Sequence, residues 1–425
     1  MPMQTAQLLF SEIVVKIAFF LQDWTTLRLC LEVLHTAKAL GPLEHLWRLH
    51  HDHKWHQSLL WPRLELSKTK LTVESFVHLE AIAKYYPQIA VNEASQVAWL
   101  QKHLDTTTTI AWTQPTKSIY PSVMSLCAPH HVTSLEKVNV HPGPFLAAFP
   151  FLQSLQVLKC TPEITQVVLE YAASSASLQY LDLRATQRRC TITTKLADDL
   201  QQWIASQPVR GFRMHHFSWE TPALRAKTLS SVLAKPTLGR FQVEESCHTL
   251  FSLHASFDRW SRRLNLTFSP NDGRWTDINS HADTLNNILS VFRPLLATKC
   301  QSWMVQQASC PIAGTPTLLW QVLAPMVQAS RVQEFILTNI KFTRDDAIQM
   351  ADAIQEHPKL ERLTLYSAIT SLNDAKVILA ASPPSLKNIT ISHIRGLSGK
   401  ERQVLSTIAA QRGISLNETE PEDDD

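Results

Sequence analysis

The chain has 425 residues, with 40 Lys and Arg against 37 Asp and Glu, and so near a charge balance excludes a global electrostatic grip on nucleic acid. Its nine glycines form neither G-x-G-x-x-G nor a Walker-type loop, which leaves phosphate-cradling catalysis without its motif. Seven scattered cysteines without a C-x-x-C pair read as reduced core residues, the pattern of a cytoplasmic or nuclear protein.

The first expected elements are helices. Leu9, Ile13, Ile17 and Leu21 recur every four residues, which places them along one helical stripe. Glu12 and Lys16 interrupt that apolar run, and no basic n-region precedes it, so the expectation is neither a signal peptide nor a membrane span. Asp23 and Thr25 end this helix and start a second, which carries Leu27, Leu29, Leu31, Val33 and Leu34. Gly41 and Pro42 break it before a third segment holding Leu43, Leu46, Trp47 and Leu49. Three short helices in about fifty residues cannot make a large core of their own, so a partner or the following segments must cover their apolar surface.

This segment resembles the F-box. That family opens with Leu-Pro-x-Glu-Ile, continues with apolar positions four apart, enters a second, valine-containing helix through a short polar link and ends near a tryptophan. Leu9, Glu12, Ile13, Ile17, Leu21, Leu27, Val33 and Trp47 stand at the corresponding positions, and Phe10 takes the place of the family's usual proline. The resemblance implies that these residues bind a Skp-type adaptor and, through it, a cullin scaffold.

Residues 56–131 read as irregular first repeats or a connecting region, with a separate small domain as the alternative. Trp61, Leu64 and Leu66 have strand spacing, Val73 to Ala83 reads as a helix, and QIAV and TTTTIAW read as strands. His50, His51, Asp52, His53 and His56 form a histidine-rich edge with no cysteine partner close behind, so no metal or cofactor site is expected.

From Leu135 onward one spacing dominates. Val332, Phe335, Leu337 recurs as Leu360, Leu363, Leu365 and again as Leu386, Ile389, Ile391, at intervals of 28 residues (332 to 360) and 26 (360 to 386). Two apolar residues one position apart put both side chains on one face of a strand. Between strands, Ala347, Ile348, Met350, Ala351 and Ile354 keep helical spacing, with Thr343 as cap and Pro358 beyond the end. Leu178/Leu181/Leu183, Val209/Phe212/Met214 and Leu238/Phe241/Val243 repeat the pattern, whereas Leu264/Leu266 and Cys300/Trp303/Val305 are weaker copies. One strand and one helix per 20 to 30 residues is the unit of a leucine-rich-repeat array. The chain resembles the α/β subclass of that family with long helices, the ribonuclease-inhibitor-like arrays.

The resulting expectation is an F-box-like helical head at 1–55, the irregular region at 56–131, a leucine-rich-repeat solenoid (a horseshoe) at 132–416 and a disordered acidic tail at 417–425. In such a solenoid, strand residues between the apolar positions line the concave surface. Arg184, Arg213, Arg240 and Arg263 come from four successive units and are expected to form one basic stretch there, with Arg362 and Tyr366 on a later rung. Asp182, Glu244 and Glu245 stand close enough to neutralise it. With no nucleophile in a G-x-S-x-G context, no catalytic residue is expected. The combined resemblance implies the substrate-recognition subunit of a cullin-type ubiquitin ligase, holding an acidic or phosphorylated protein substrate. The alternative is a free-standing scaffold or inhibitor whose N-terminal helices only cap the repeats.

Overall fold

The computed structural model describes residues 12–21, 23–66, 72–93, 96, 99–100, 103, 108–115, 132–186, 190–247, 251–270, 282–307, 317–340, 342–369, 371–392 and 398–419. Leu9, Phe10, Cys127, Cys310 and residues 420–425 lie outside the described residues. The fold is mixed α/β. It divides into two compact units, Met1–Lys159 with Ser174–Leu178, and Cys160–Ala173 with Gln179–Asp425.

The first unit begins with helices α1 (residues 12–20), α2 (Trp24–Thr36), α3 (Leu43–His51) and α4 (Gln57–Leu60). Asp23 caps α2 by accepting from the Thr26 amide, and Gly41, at a φ of 54°, supplies the left-handed turn into α3. Leu27, Leu31, Leu43, Leu46 and Leu49 are fully buried. Val15 and Ala18 of α1 are buried too, and Phe19 packs on Trp61 and Tyr86 with ring centroids 5.2 and 4.8 Å apart. Helix α5 (Val73–Ala83) rests on α3, where His45 and His78 share a 2.9 Å hydrogen bond between their Nδ1 atoms. Strands β1 (Leu64–Glu65), β2 (Gln88–Val91), β3 (Thr109–Thr113), β4 (Val132–Val138) and β5 (Ser154–Cys160) pair in parallel and in chain order. The region 56–131 therefore supplies strands of the same sheet type as the repeats that follow.

The second unit carries β6 (Tyr180–Ala185), β8 (Gly211–His215), β10 (Arg240–Cys247), β11 (Phe251–Asp258), β12 (Arg263–Pro270), β13 (Ser302–Gln307), β14 (Glu334–Thr338), β15 (Arg362–Tyr366), β16 (Asn388–Ser392) and β17 (Ser415–Thr419), paired in that order. Two short strands, β7 (Thr191–Ile192) and β9 (Ser218–Trp219), pair separately. Because parallel crossovers share one hand and the order never reverses, the helices between strands fall on one face of the sheet. The inward row confirms the sequence register strand by strand. Leu181, Phe212, Phe241, Leu264, Trp303, Phe335, Leu363 and Ile389 are all buried, as are the residues two further on. Thr343 makes the expected cap, and Asp346 returns the bond to complete a capping box on the helix Arg344–Gln355.

Two features depart from the expectation. Strand β11 is antiparallel to both neighbours, so the interval between the Val243 and Leu264 repeats holds a hairpin and not a helix. Residues through Thr419 form β17 against β16, so the chain keeps regular structure beyond 417, where the acidic tail was expected to begin.

Candidate functional site

Two surfaces carry the expected site residues, one in each unit. On α1, the side opposite Val15 and Ala18 is open: Ile13 is 54% exposed, Ile17 56% and Phe20 84%. Positions 13, 17 and 20 share a helical face that the described residues of the first unit leave uncovered; of the expected stripe, Ile13 and Ile17 lie on it, Leu21 does not share their exposure and Leu9 lies outside the described residues. Leu29 and Val33, one turn apart on α2, are 52% and 69% exposed. Glu12 is exposed and Leu21 half-buried. Trp47 is half-buried and stacks between His35 and His51, with ring centroids at 4.7 and 3.9 Å. Leu27 departs from the adaptor-contact expectation. It is fully buried, because it shares the inward face of α2 with Leu31 one turn on.

The second surface is the face of the β6–β17 sheet opposite the helices. Strand pairing arranges its side chains in three rows. The first runs Tyr180, Gly211, Arg240, Asp258, Arg263, Ser302, Glu334, Arg362. The second begins Asp182, Arg213, Gln242, Ser256, and the third begins Arg184, His215, Glu244, His254, Thr267 and reaches Tyr366.

The four arginines thus share a face but not a row. Arg240 and Arg263 lie on the first row with β11 and its Asp258 between them, Arg213 lies on the second and Arg184 on the third. A single contiguous arginine stretch is therefore corrected to two groups. In the group on strands β6 to β11, the Arg184 and Arg240 guanidinium groups are exposed and make no ion pair among the described residues, while Arg213 stands 3.6 Å from Asp182. In the group on β12 to β15, Arg263 and Arg362 close on the two oxygens of Glu334, each at 3.1 Å, and Ser302 donates to the same carboxylate at 2.6 Å. Burial pulls the Glu334 carboxyl up, but the Ser302 and Arg362 hydrogen bonds and the two guanidinium charges outweigh it and hold it below its ordinary value.

Further side chains of this face take part, beyond the arginines and Tyr366 expected to bind. The Tyr180 ring lies across Gly211, so close that a Cβ there would meet its Cδ1 at 2.4 Å. Glu244 draws in two imidazoles, His215 Nδ1 at 3.2 Å and His216 Nδ1 at 3.6 Å, and pairs across the ladder with His254. Strand β11 had a signal: in FSLHASFD, Phe251, Leu253, Ala255 and Phe257 alternate with polar residues. Glu245 departs from its expected neutralising role, because alternation along β10 turns it inward. It meets Arg225 of the helix Pro222–Ala234 at 2.7 Å, away from the arginine rows.

Burial pushes the Cys160 and Cys300 thiols up to about 12, the opposite of an activated nucleophile. Among the described residues, no group of three or more His, Cys, Asp or Glu is placed to hold a metal ion, and no helix is long and apolar enough to cross a membrane. No protein-family model matches the chain, and no curated protein matches it at significant similarity.

Proposed function

We propose that this chain is a non-catalytic substrate-recognition subunit of a cullin-type ubiquitin ligase, an F-box-like head followed by a leucine-rich-repeat solenoid. The observation that carries the reading is the uncovered row Ile13, Ile17 and Phe20 on a helix whose opposite side is already packed by Val15, Ala18 and Phe19. A helix that served only as a cap for the repeats has no need of a second apolar face in water, whereas a docking helix does. Leu29 and Val33 on α2 add to the apolar surface on offer. The Skp-type adaptor would cover these side chains and join the chain to the cullin scaffold. The open sheet face, with Arg184 and Arg240 without an ion pair among the described residues, would hold an acidic or phosphorylated segment of the substrate so that a conjugating enzyme modifies its lysines by proximity.

Affinity purification of the full chain from cells, followed by identification of the co-purifying proteins, tests the class. Recovery of an adaptor together with a cullin supports the ligase reading. Their absence, with the chain folded and expressed, transfers the fold to the alternative of a free-standing scaffold or inhibitor.

A further inference from the structure

On the open face of the second unit, the outward charges of β6, β8, β10 and β11 cancel. Arg184, Arg213 and Arg240 stand against Asp182, Glu244 and Asp258, three against three. What is left over is imidazole. His215 and His254 flank Glu244 on the third row, His216 reaches the same carboxylate from the end of β8, and Gln242 meets His254 Nε2 at 2.9 Å. Arg184 continues the row beyond His215, and Thr267 continues it beyond His254.

We propose that this cluster is a proton-controlled site for a carboxylate-rich peptide segment of a protein partner, closed while the three imidazoles are neutral and opened as they take up protons. The inference rests on the reading of this face as the partner-binding surface and adds its regulation. With neutral rings the Glu244 carboxylate is the dominant charge on the third row and repels an acidic ligand. Protonation moves the local balance from zero toward +3, and the protonated rings engage Glu244, so that Arg184 and the exposed His216 edge face an anion with that carboxylate neutralised.

Among the described residues, the charged and titratable groups facing His215 come from three strands. Arg184 and Asp182 face it from β6, Glu244 and Gln242 from β10, His254 from across β10, and Arg213 and His216 on its own strand and turn. Burial holds the His254 ring below the ordinary imidazole value; Glu244 pulls it up and the His215 charge pushes it down, so this ring takes up its proton only toward the acid end and broadens the opening. The placement also gives a role to the antiparallel strand β11, which brings His254 beside Glu244 where the plain repeat would have set β12.

The test is fluorescence anisotropy of the full chain with a fluorescein-labelled hexaglutamate peptide, whose carboxylates stay largely ionised from about pH 8 to about pH 5.5. A hexalysine peptide serves as the control, and far-UV circular dichroism at both pH values confirms the fold. Affinity for hexaglutamate is expected to rise about tenfold over that range, falling again with added salt. His216→Gln with His254→Gln should remove most of the rise, and Glu244→Gln should tighten binding at pH 8. Binding that is equal at both pH values, or a rise that survives in the double histidine variant, overturns the gate and leaves the acidic-partner reading standing. No binding at either pH overturns both.

Discussion

The buried pair Arg225 and Glu245 offers a sharp test of how the second unit holds together. The two side chains are each 7% exposed and meet at 2.7 Å. Glu245 also accepts from Trp219 Nε1 at 2.9 Å, Arg225 Nη1 donates to the Ile288 carbonyl at 3.2 Å, and Arg225 Nη2 has no hydrogen-bond partner among the described residues. Removing two charges from water costs several kcal/mol per ion, so the pair taken as a whole is close to neutral in stability, but either half alone is not. Arg225→Ala leaves a buried carboxylate held by one indole, at a cost of about 3 to 5 kcal/mol. Arg225→Met combined with Glu245→Leu removes both charges and leaves Trp219 Nε1 without its acceptor and the Ile288 carbonyl without the guanidinium donor, at about 1 to 2 kcal/mol. Urea denaturation read by circular dichroism gives the magnitudes, and hydrogen exchange at β10 and the helix Pro222–Ala234 locates them. Single variants that cost less than about 1 kcal/mol, or a double variant that costs the sum of the singles, would refute the reasoning.

Three further outcomes follow from the same geometry. Leu363 is buried between Phe335 and Ile389 in the ladder, so Leu363→Ala should cost about 2 to 5 kcal/mol and show first as lost exchange protection in β15 to β17; uniform loss along the chain would contradict the stacked arrangement. His357 is buried, accepts from the Lys359 amide at Nδ1 and bonds Ser330 through Nε2, and burial lowers it to about 4. The unfolded chain takes up this proton near 6.5 and the folded chain does not until about 4. Stability is therefore full above pH 6.5 and falls as pH drops through that window, by at most about 3 kcal/mol, and His357→Gln should flatten the dependence in acid denaturation. Gly211→Ala should displace the Tyr180 ring, read as a change in its aromatic NMR shifts, while an unmoved ring would contradict the close approach.

What was legible in the sequence was local. Side-chain alternation within a strand needs no neighbour, so Leu363 and Leu365, and even the weak pairs Leu264/Leu266 and Trp303/Val305, were placed correctly inward. Lateral register was not legible, because which residues stand beside one another depends on which strands pair. An assumption of one strand per repeat hid β11 and with it His254, and put Arg240 beside Arg263. Glu244 and Glu245 were read together although adjacent strand residues face opposite ways. On α2 the apolar residues were visible, but only packing separates the inward Leu27 and Leu31 from the exposed Leu29 and Val33.

The proposed adaptor face yields the most direct test of the central claim. Ile13 and Ile17 are more than half exposed, so replacing both by Asp should shift stability by no more than about 0.5 kcal/mol per site. On docking, the same carboxylates would be carried into an apolar contact at several kcal/mol unless paired, enough to weaken binding by about a hundredfold or more. The measurement is isothermal titration calorimetry of a purified Skp-type adaptor into the full chain and into the Ile13→Asp/Ile17→Asp variant, with melting curves of both. The account predicts micromolar or tighter binding by the wild type, its loss in the variant and unchanged melting. No binding by the wild type at micromolar concentration, or equal binding by the variant, would contradict it.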